Sequence, residues 1–246
     1  MSEWPFPLWI AHRGAGTLAP ENTLAAFRLG AQYGYRCFEC DVKLSADGVP
    51  FLMHDATLER TTNGEGVAGD RPWSELSQLD AGDWHSRAYT GETLPTLTAF
   101  ARWLRRNDLL LDLEIKPTPG HDEATGRSVA LAVRSLWAGA AVPPLLSSFS
   151  PRALRAAQEA APELPRALLL DELWTGWEGV ATALQGVAVI TNHTLMDAAL
   201  IGRIRSLGAR ALCYTVNQPA DAERLLALGI DGLVTDAVDR FAPASR

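Results

Sequence analysis

Two histidines in this chain stand where an apolar run gives way to polar residues. His12 closes the run at 8–12 and is followed by Arg13-Gly14; His54 follows the run at 49–53 and precedes Asp55. An imidazole takes and gives protons near neutral pH, so a pair can serve as base for an incoming oxygen and acid for a leaving one. Glu39 and Asp41 stand two apart in an apolar stretch, and Glu114 lies in Leu111-Asp112-Leu113-Glu114-Ile115-Lys116. On a strand, positions i and i+2 leave the same face, so Glu39 and Asp41 emerge together and Glu114 repeats the arrangement from another strand. Three carboxylates on one face need a cation; oxygen-only ligation suits a hard divalent ion, Mg²⁺ or Ca²⁺. Arg13 offers a fork for two phosphate oxygens and Lys116 a point charge. Taken singly, each has a plainer reading: a strand-end histidine is commonly structural, a Glu-x-Asp commonly a solvated edge, and a lone cation commonly a surface ion pair. Their recurrence at successive strand ends argues against those readings.

Elements able to hold these residues follow from an alternation of short apolar runs with amphipathic stretches, the pattern of βα units around a parallel sheet. Strands are expected at 8–12, 37–42, 109–115, 144–148, 167–170, 187–191, 211–216 and 232–235. Helices are expected from residue 20 to 33, with Asn22 as N-cap, then at 95–106, 122–137, 151–160, 178–184, 196–207 and 220–228. Ser45-Ala46-Asp47-Gly48 is a turn signal, so 49–53 should return antiparallel as a hairpin arm. Eight parallel strands with intervening helices predict a (βα)8 barrel of TIM type, with 49–53 the one rival for a place in the count. A barrel sets its active site at the carboxyl ends of its strands, where the polar residues recur. Residues 55–94 lose periodicity after the strand ending at His54, and are read as an insertion that caps the site within a single domain of residues 1–246.

The 246 residues carry 22 Lys and Arg against 29 Asp and Glu, a net charge of -7, which disfavours nucleic acid and anionic membranes as partners. No basic leader and no run of 18 apolar residues occurs. Cys37, Cys40 and Cys213 cannot all pair, and the first two fall on opposite faces of one strand, so reduced thiols and a cytoplasmic location are expected.

The ordered motifs His12-Arg13-Gly14, Pro20-Glu21-Asn22-Thr23, Glu39-x-Asp41, His54-Asp55, Leu113-Glu114-Ile115-Lys116, Ser147-Ser148-Phe149 and Tyr214-Thr215-Val216-Asn217 resemble those of glycerophosphodiester phosphodiesterases. Asp80-Ala81-Gly82-Asp83-Trp84 and Leu94-Pro95-Thr96-Leu97 extend the likeness, which is greatest to the short cytoplasmic bacterial form. The resemblance implies a distorted barrel that hydrolyses glycerophosphodiesters, such as glycerophosphocholine or glycerophosphoethanolamine, to sn-glycerol 3-phosphate and an alcohol. It implies metal binding by Glu39, Asp41 and Glu114, acid–base catalysis by His12 and His54, and phosphate binding by Arg13 and Lys116. Phe149 and Trp84 would line the substrate, as would Tyr214, which replaces the family's usual tryptophan. Two alternatives stand beside it: a lysophospholipase D or other phospholipase-like activity, and a silent binding barrel. The second would usually have lost one of these five groups.

Overall fold

The structure is a computed structural model describing residues 4–241 and 243. Eight parallel strands form its centre: β1 (Trp9–Ala11), β2 (Cys37–Leu44), then β4 (Leu110–Ile115), β5 (Leu145–Ser148), β6 (Arg166–Leu170), β7 (Ala188–Asn192), β8 (Arg210–Tyr214) and β9 (Gly232–Thr235). Each pairs with the next in chain order, and β1 pairs with both β9 and β2, which closes the ring. The remaining strand, β3 (Pro50–Leu52), runs antiparallel to β2 with Lys43 opposite Phe51, so it is the expected hairpin arm and not a stave. The closed eight-stranded barrel with helices between its strands is a TIM-barrel fold.

Side-chain alternation decides what each strand shows to the interior. From β2, Cys37 packs inside the barrel with Ile10, Leu145, Ile190 and Val234, while Phe38, Cys40 and Val42 pack outward under the helices. The period of two then carries Glu39, Asp41 and Lys43 inward above Cys37. All three cysteines are free and buried.

The helical layer comprises α1 (Leu24–Gln32), α3 (Leu97–Arg106), α4 (Asp122–Leu136), α5 (Pro151–Ala160), α6 (Trp177–Ala183), α7 (Ala198–Ser206) and α8 (Pro219–Ala227), with a single-turn α2 (Trp73–Leu76) outside the βα repeat. Thr23, Thr96, Ser150 and Asp197 cap α1, α3, α5 and α7 by accepting a backbone N–H three residues on. The cap of α1 corrects the assignment to Asn22. Asn22 lies in the left-handed region at φ 59° and spends its side chain on Asp41 of β2, so the helix starts one residue later behind Thr23.

Helices α4 and α5 cross closely because Gly126 has no side chain: a Cβ there would lie 2.1 Å from the carbonyl oxygen of Ala153. The obstacle is backbone and cannot swing aside. Gly126→Ala is therefore expected to destabilise the protein by about 1–3 kcal/mol, read as a lower urea midpoint, despite alanine's better helix propensity. A midpoint at or above wild type would show that the two helices part without cost.

Residues 55–94 are ordered and largely irregular. Leu58, Ala68, Leu76, Ala81 and Leu94 bury against Phe51 and Met53, giving the segment a small core of its own beside the hairpin arm. His85 reaches the loop after β1 through the carbonyl oxygen of Thr17, at 3.0 Å.

Candidate active site

Three carboxylates meet at the carboxyl end of the barrel. In the parallel register Asp41 of β2 lies beside Glu114 of β4, and Glu39 lies one layer below beside Asp112. One oxygen from each of Glu39, Asp41 and Glu114 falls within 4.8 Å of the others. All three are buried, at 6%, 0% and 8% exposure, where unpaired like charges are costly. Burial first, and then the charge of Asp41, raises the pKa of both glutamates, Glu114 to about 8. Asp41 is lowered to about 2 despite its burial, because Arg13, Lys116 and His54 stand around it and Asn22 donates to Oδ2 at 2.9 Å.

The donor set fits a hard divalent cation. Oδ1 of Asp41 is buried without a hydrogen-bond donor and lies 3.8 Å from Lys116 Nζ, so an oxygen lone pair faces the cluster unused. Lys116 Nζ pairs with Glu114 Oε1 at 2.8 Å.

Both histidines border the same cavity of about 280 Å³, together with Arg13, Glu39, Asp112, Glu114, Lys116, Ser147, Phe149 and Tyr214. Nδ1 of His12 lies 2.6 Å from Asp236 Oδ1, and Nδ1 of His54 lies 2.7 Å from Asp55 Oδ1. An ionised carboxylate only accepts, so in each ring Nδ1 carries the proton and Nε2 is the nitrogen left for other partners. Asp236 is itself held by Asn217, whose Nδ2 donates to Oδ2 at 2.9 Å and whose Oδ1 accepts from the Asp236 N–H at 2.9 Å. His54 also borders a wider groove of about 800 Å³ with Lys43, Asp55, Thr57, Lys116, Pro119 and Phe149, and His12 does not.

Arg13 follows β1 in the left-handed region at φ 51°, which turns its guanidinium back over the barrel end. Its Nη1 donates to Glu21 at 2.8 Å and its Nε lies 3.3 Å from Asp41. Gly14 then passes under α1, where a Cβ would sit 2.8 Å from Ala26 and Phe27. Lys116 stands 5.4 Å from the Phe149 ring, which meets Tyr214 edge-on at 5.7 Å.

The structure thus gathers nine of the ten residues singled out from sequence. Asp41 sits behind the cavity lining and Trp84 lies elsewhere: at 40% exposure, its indole donates to Ala81 and lines neither opening. Of residues 55–94, Asp55, Ala56 and Thr57 line the openings, and the apolar side chains of the stretch pack beside the hairpin arm.

Other participants went unassigned in the sequence. Asp236 had a signal, an acid directly after the last apolar run. Lys43 and Asp112 had one too, at i+2 from Asp41 and i−2 from Glu114. Lys43 donates to the carbonyl oxygen of Lys116 at 3.1 Å, and burial pulls its pKa to about 8. Asp112 accepts from Ser147 Oγ at 2.6 Å, and burial pushes its pKa to about 7.

Residues 12–240 match the model of the glycerophosphoryl diester phosphodiesterase family. The chain belongs to this family. It is 32% identical to the glycerophosphodiester phosphodiesterase of Caldanaerobacter subterraneus subsp. tengcongensis, across 93% of each protein. Among solved structures, an Oleispira antarctica phosphodiesterase in complex with the product sn-glycerol-3-phosphate superposes with a TM-score of 0.90 at 34% identity, covering 96% of this chain and 95% of that one. The glycerophosphodiester phosphodiesterase of Agrobacterium tumefaciens gives 0.81 at 30% identity, covering 97% and 100%. The protein is a glycerophosphodiester phosphodiesterase, a phosphoric diester hydrolase. Among the described residues, no helix is long and apolar enough to cross a membrane.

Proposed function

We propose that the enzyme hydrolyses small glycerophosphodiesters, such as glycerophosphoethanolamine or glycerophosphocholine, to sn-glycerol 3-phosphate and the free alcohol. His12 and His54 are the acid–base pair. The observation that carries this reading is the matched pairing of His12 with Asp236 and His54 with Asp55, which commits both Nδ1 atoms and leaves both Nε2 atoms to one cavity. Arg13 and Lys116 hold the phosphate; each is cationic, borders that cavity, and supplies a positive charge that a protein of net charge -7 otherwise lacks there.

The glycerol phosphate half occupies the inner cavity, whose walls of Leu169, Ile190 and Val234 suit carbon and whose Asp112, Ser147 and Tyr214 suit hydroxyls. The alcohol lies in the outer groove. His54, which borders both openings, acts as the imidazolium and gives its Nε2 proton to the departing alkoxide, and His12 takes the proton of the attacking oxygen on its bare Nε2. Glu39, Asp41 and Glu114 hold Mg²⁺ or Ca²⁺, whose charge would polarise a phosphoryl oxygen and offset the clustered carboxylates. Phe149, which borders both openings, walls the phosphate on its alcohol side, and Tyr214 walls it on the glycerol side.

Glycerophosphoethanolamine is expected to release glycerol 3-phosphate with Mg²⁺ or Ca²⁺ present and none with excess chelator, measured by a coupled dehydrogenase assay. Faster turnover of a lysophospholipid than of either water-soluble diester would replace this reading with a lysophospholipase D activity.

A further inference from the structure

Arg60 lies in the irregular segment, five residues after the His54-Asp55 motif, and has a 45% exposed side chain. Exposed arginines usually point into water and contribute little. This one makes four hydrogen bonds to two carboxylates. Its Nε and Nη2 donate to Asp55 at 2.6 and 3.0 Å, and its Nη1 and Nη2 donate to Glu21 at 2.7 and 2.8 Å. A planar guanidinium has the five N–H groups and fixed fork that two such pairings demand, and an ammonium does not.

The turn beneath it is built to hold it still. Leu58 is buried in the segment's small core, and its carbonyl oxygen accepts from both the N–H of Thr62, at 3.0 Å, and the hydroxyl of Thr62, at 2.7 Å.

Asp55 and Glu21 are the partners of two candidate site residues. Asp55 Oδ1 faces His54 Nδ1 at 2.7 Å, and Glu21 Oε1 accepts from Arg13 Nη1 at 2.8 Å. One chain of ionic hydrogen bonds therefore runs His54, Asp55, Arg60, Glu21, Arg13. We infer that Arg60 is a positioning residue, which fixes the His54 ring through Asp55 and the Arg13 guanidinium through Glu21. Without it Asp55 can turn to water and release Nδ1, and Glu21 pulls on Arg13 alone with its full negative charge. The inference rests on the roles proposed for His54 and Arg13.

Three measurements test it. Arg60→Ala is expected to lower kcat by roughly tenfold or more, as loss of a group that orients a catalytic ligand does, with a melting temperature near wild type. Arg60→Lys should recover little of the loss, while methylguanidinium added to Arg60→Ala at a concentration harmless to the wild type should recover a measurable part. Nitrogen-15 spectra of the histidine rings should show the His54 tautomer signal shifting in Arg60→Ala while that of His12, held by Asp236, stays in place. A wild-type kcat in Arg60→Ala overturns the inference. So does a loss with no rescue and an unmoved His54 resonance, since that pattern marks a structural arginine. If His54→Ala alone retains near-normal turnover, the acid–base role fails instead, and the spectra still report whether Arg60 orients His54.

Discussion

His12→Ala and His54→Ala are each expected to lower turnover by roughly a hundredfold or more, the usual loss when a general acid or base is removed, and to leave a folded barrel. The expectation rests on where the two rings sit. Both lie at the rim, where the barrel's apolar interior has ended, so truncation opens space to solvent and not a void in the core. Their carboxylate partners lose a hydrogen bond yet keep others: Asp236 retains Asn217, and Asp55 retains Arg60. The pair also predicts a weaker effect one step out. Asp236→Asn can still hold the ring but offers an amide donor where Nδ1–H needs an acceptor, so it should lower kcat more than KM. Turnover measured alongside circular dichroism decides the matter; near-normal turnover in a folded histidine variant makes that histidine structural.

Chelation has the second large effect. Excess EDTA is expected to abolish activity, and Glu39→Gln, Asp41→Asn and Glu114→Gln to weaken metal binding, because each removes one charge from a site whose other oxygens cannot compensate. Stability gives a readout independent of turnover. A cation present at a hundredfold its Kd stabilises the folded state by about 2.7 kcal/mol, so Mg²⁺ or Ca²⁺ should raise the melting temperature of the wild type. Glu39→Gln keeps the side chain's shape, and a buried carboxylate beside Asp41 gains little from its charge without a cation. Its metal-free melting temperature should therefore stay near wild type while the metal-induced rise shrinks. Full activity in excess chelator, with no metal found by elemental analysis, would sink the metal site.

Much of this protein was legible in one dimension because barrels are built from local repeats. A strand's side chains alternate and a helix's recur every three to four residues, so the apolar pattern alone gave eight staves, and the turn signal at residues 45–48 gave the hairpin arm. The expected strand at 232–235 and helix at 151–160 coincide with β9 and α5. The carboxylates were legible for the same reason: two charges at i and i+2 in an apolar run must share a face, and burial there is unaffordable without a partner.

What only the tertiary structure decided lies where no period operates. Asn22 reads as a helix cap because its type favours one, but a left-handed backbone turns it onto Asp41, nineteen residues away. Residues 55–94 carry enough apolar side chains to pack, yet composition does not say against what. The hairpin arm offers Phe51 and Met53, and the apolar side chains of the segment fold onto them, leaving Trp84 away from the site while Arg60 reaches Glu21. The partners of Asp236 and Arg60 became visible only in space. Asp236 meets His12 across 224 residues because ring closure sets the last strand beside the first, and Arg60 joins Glu21 to Asp55 because a loop without periodicity turns back over the barrel end. The sequence determined which side chains face inward, since that depends on neighbours in the chain; closure of the barrel determined which of them meet.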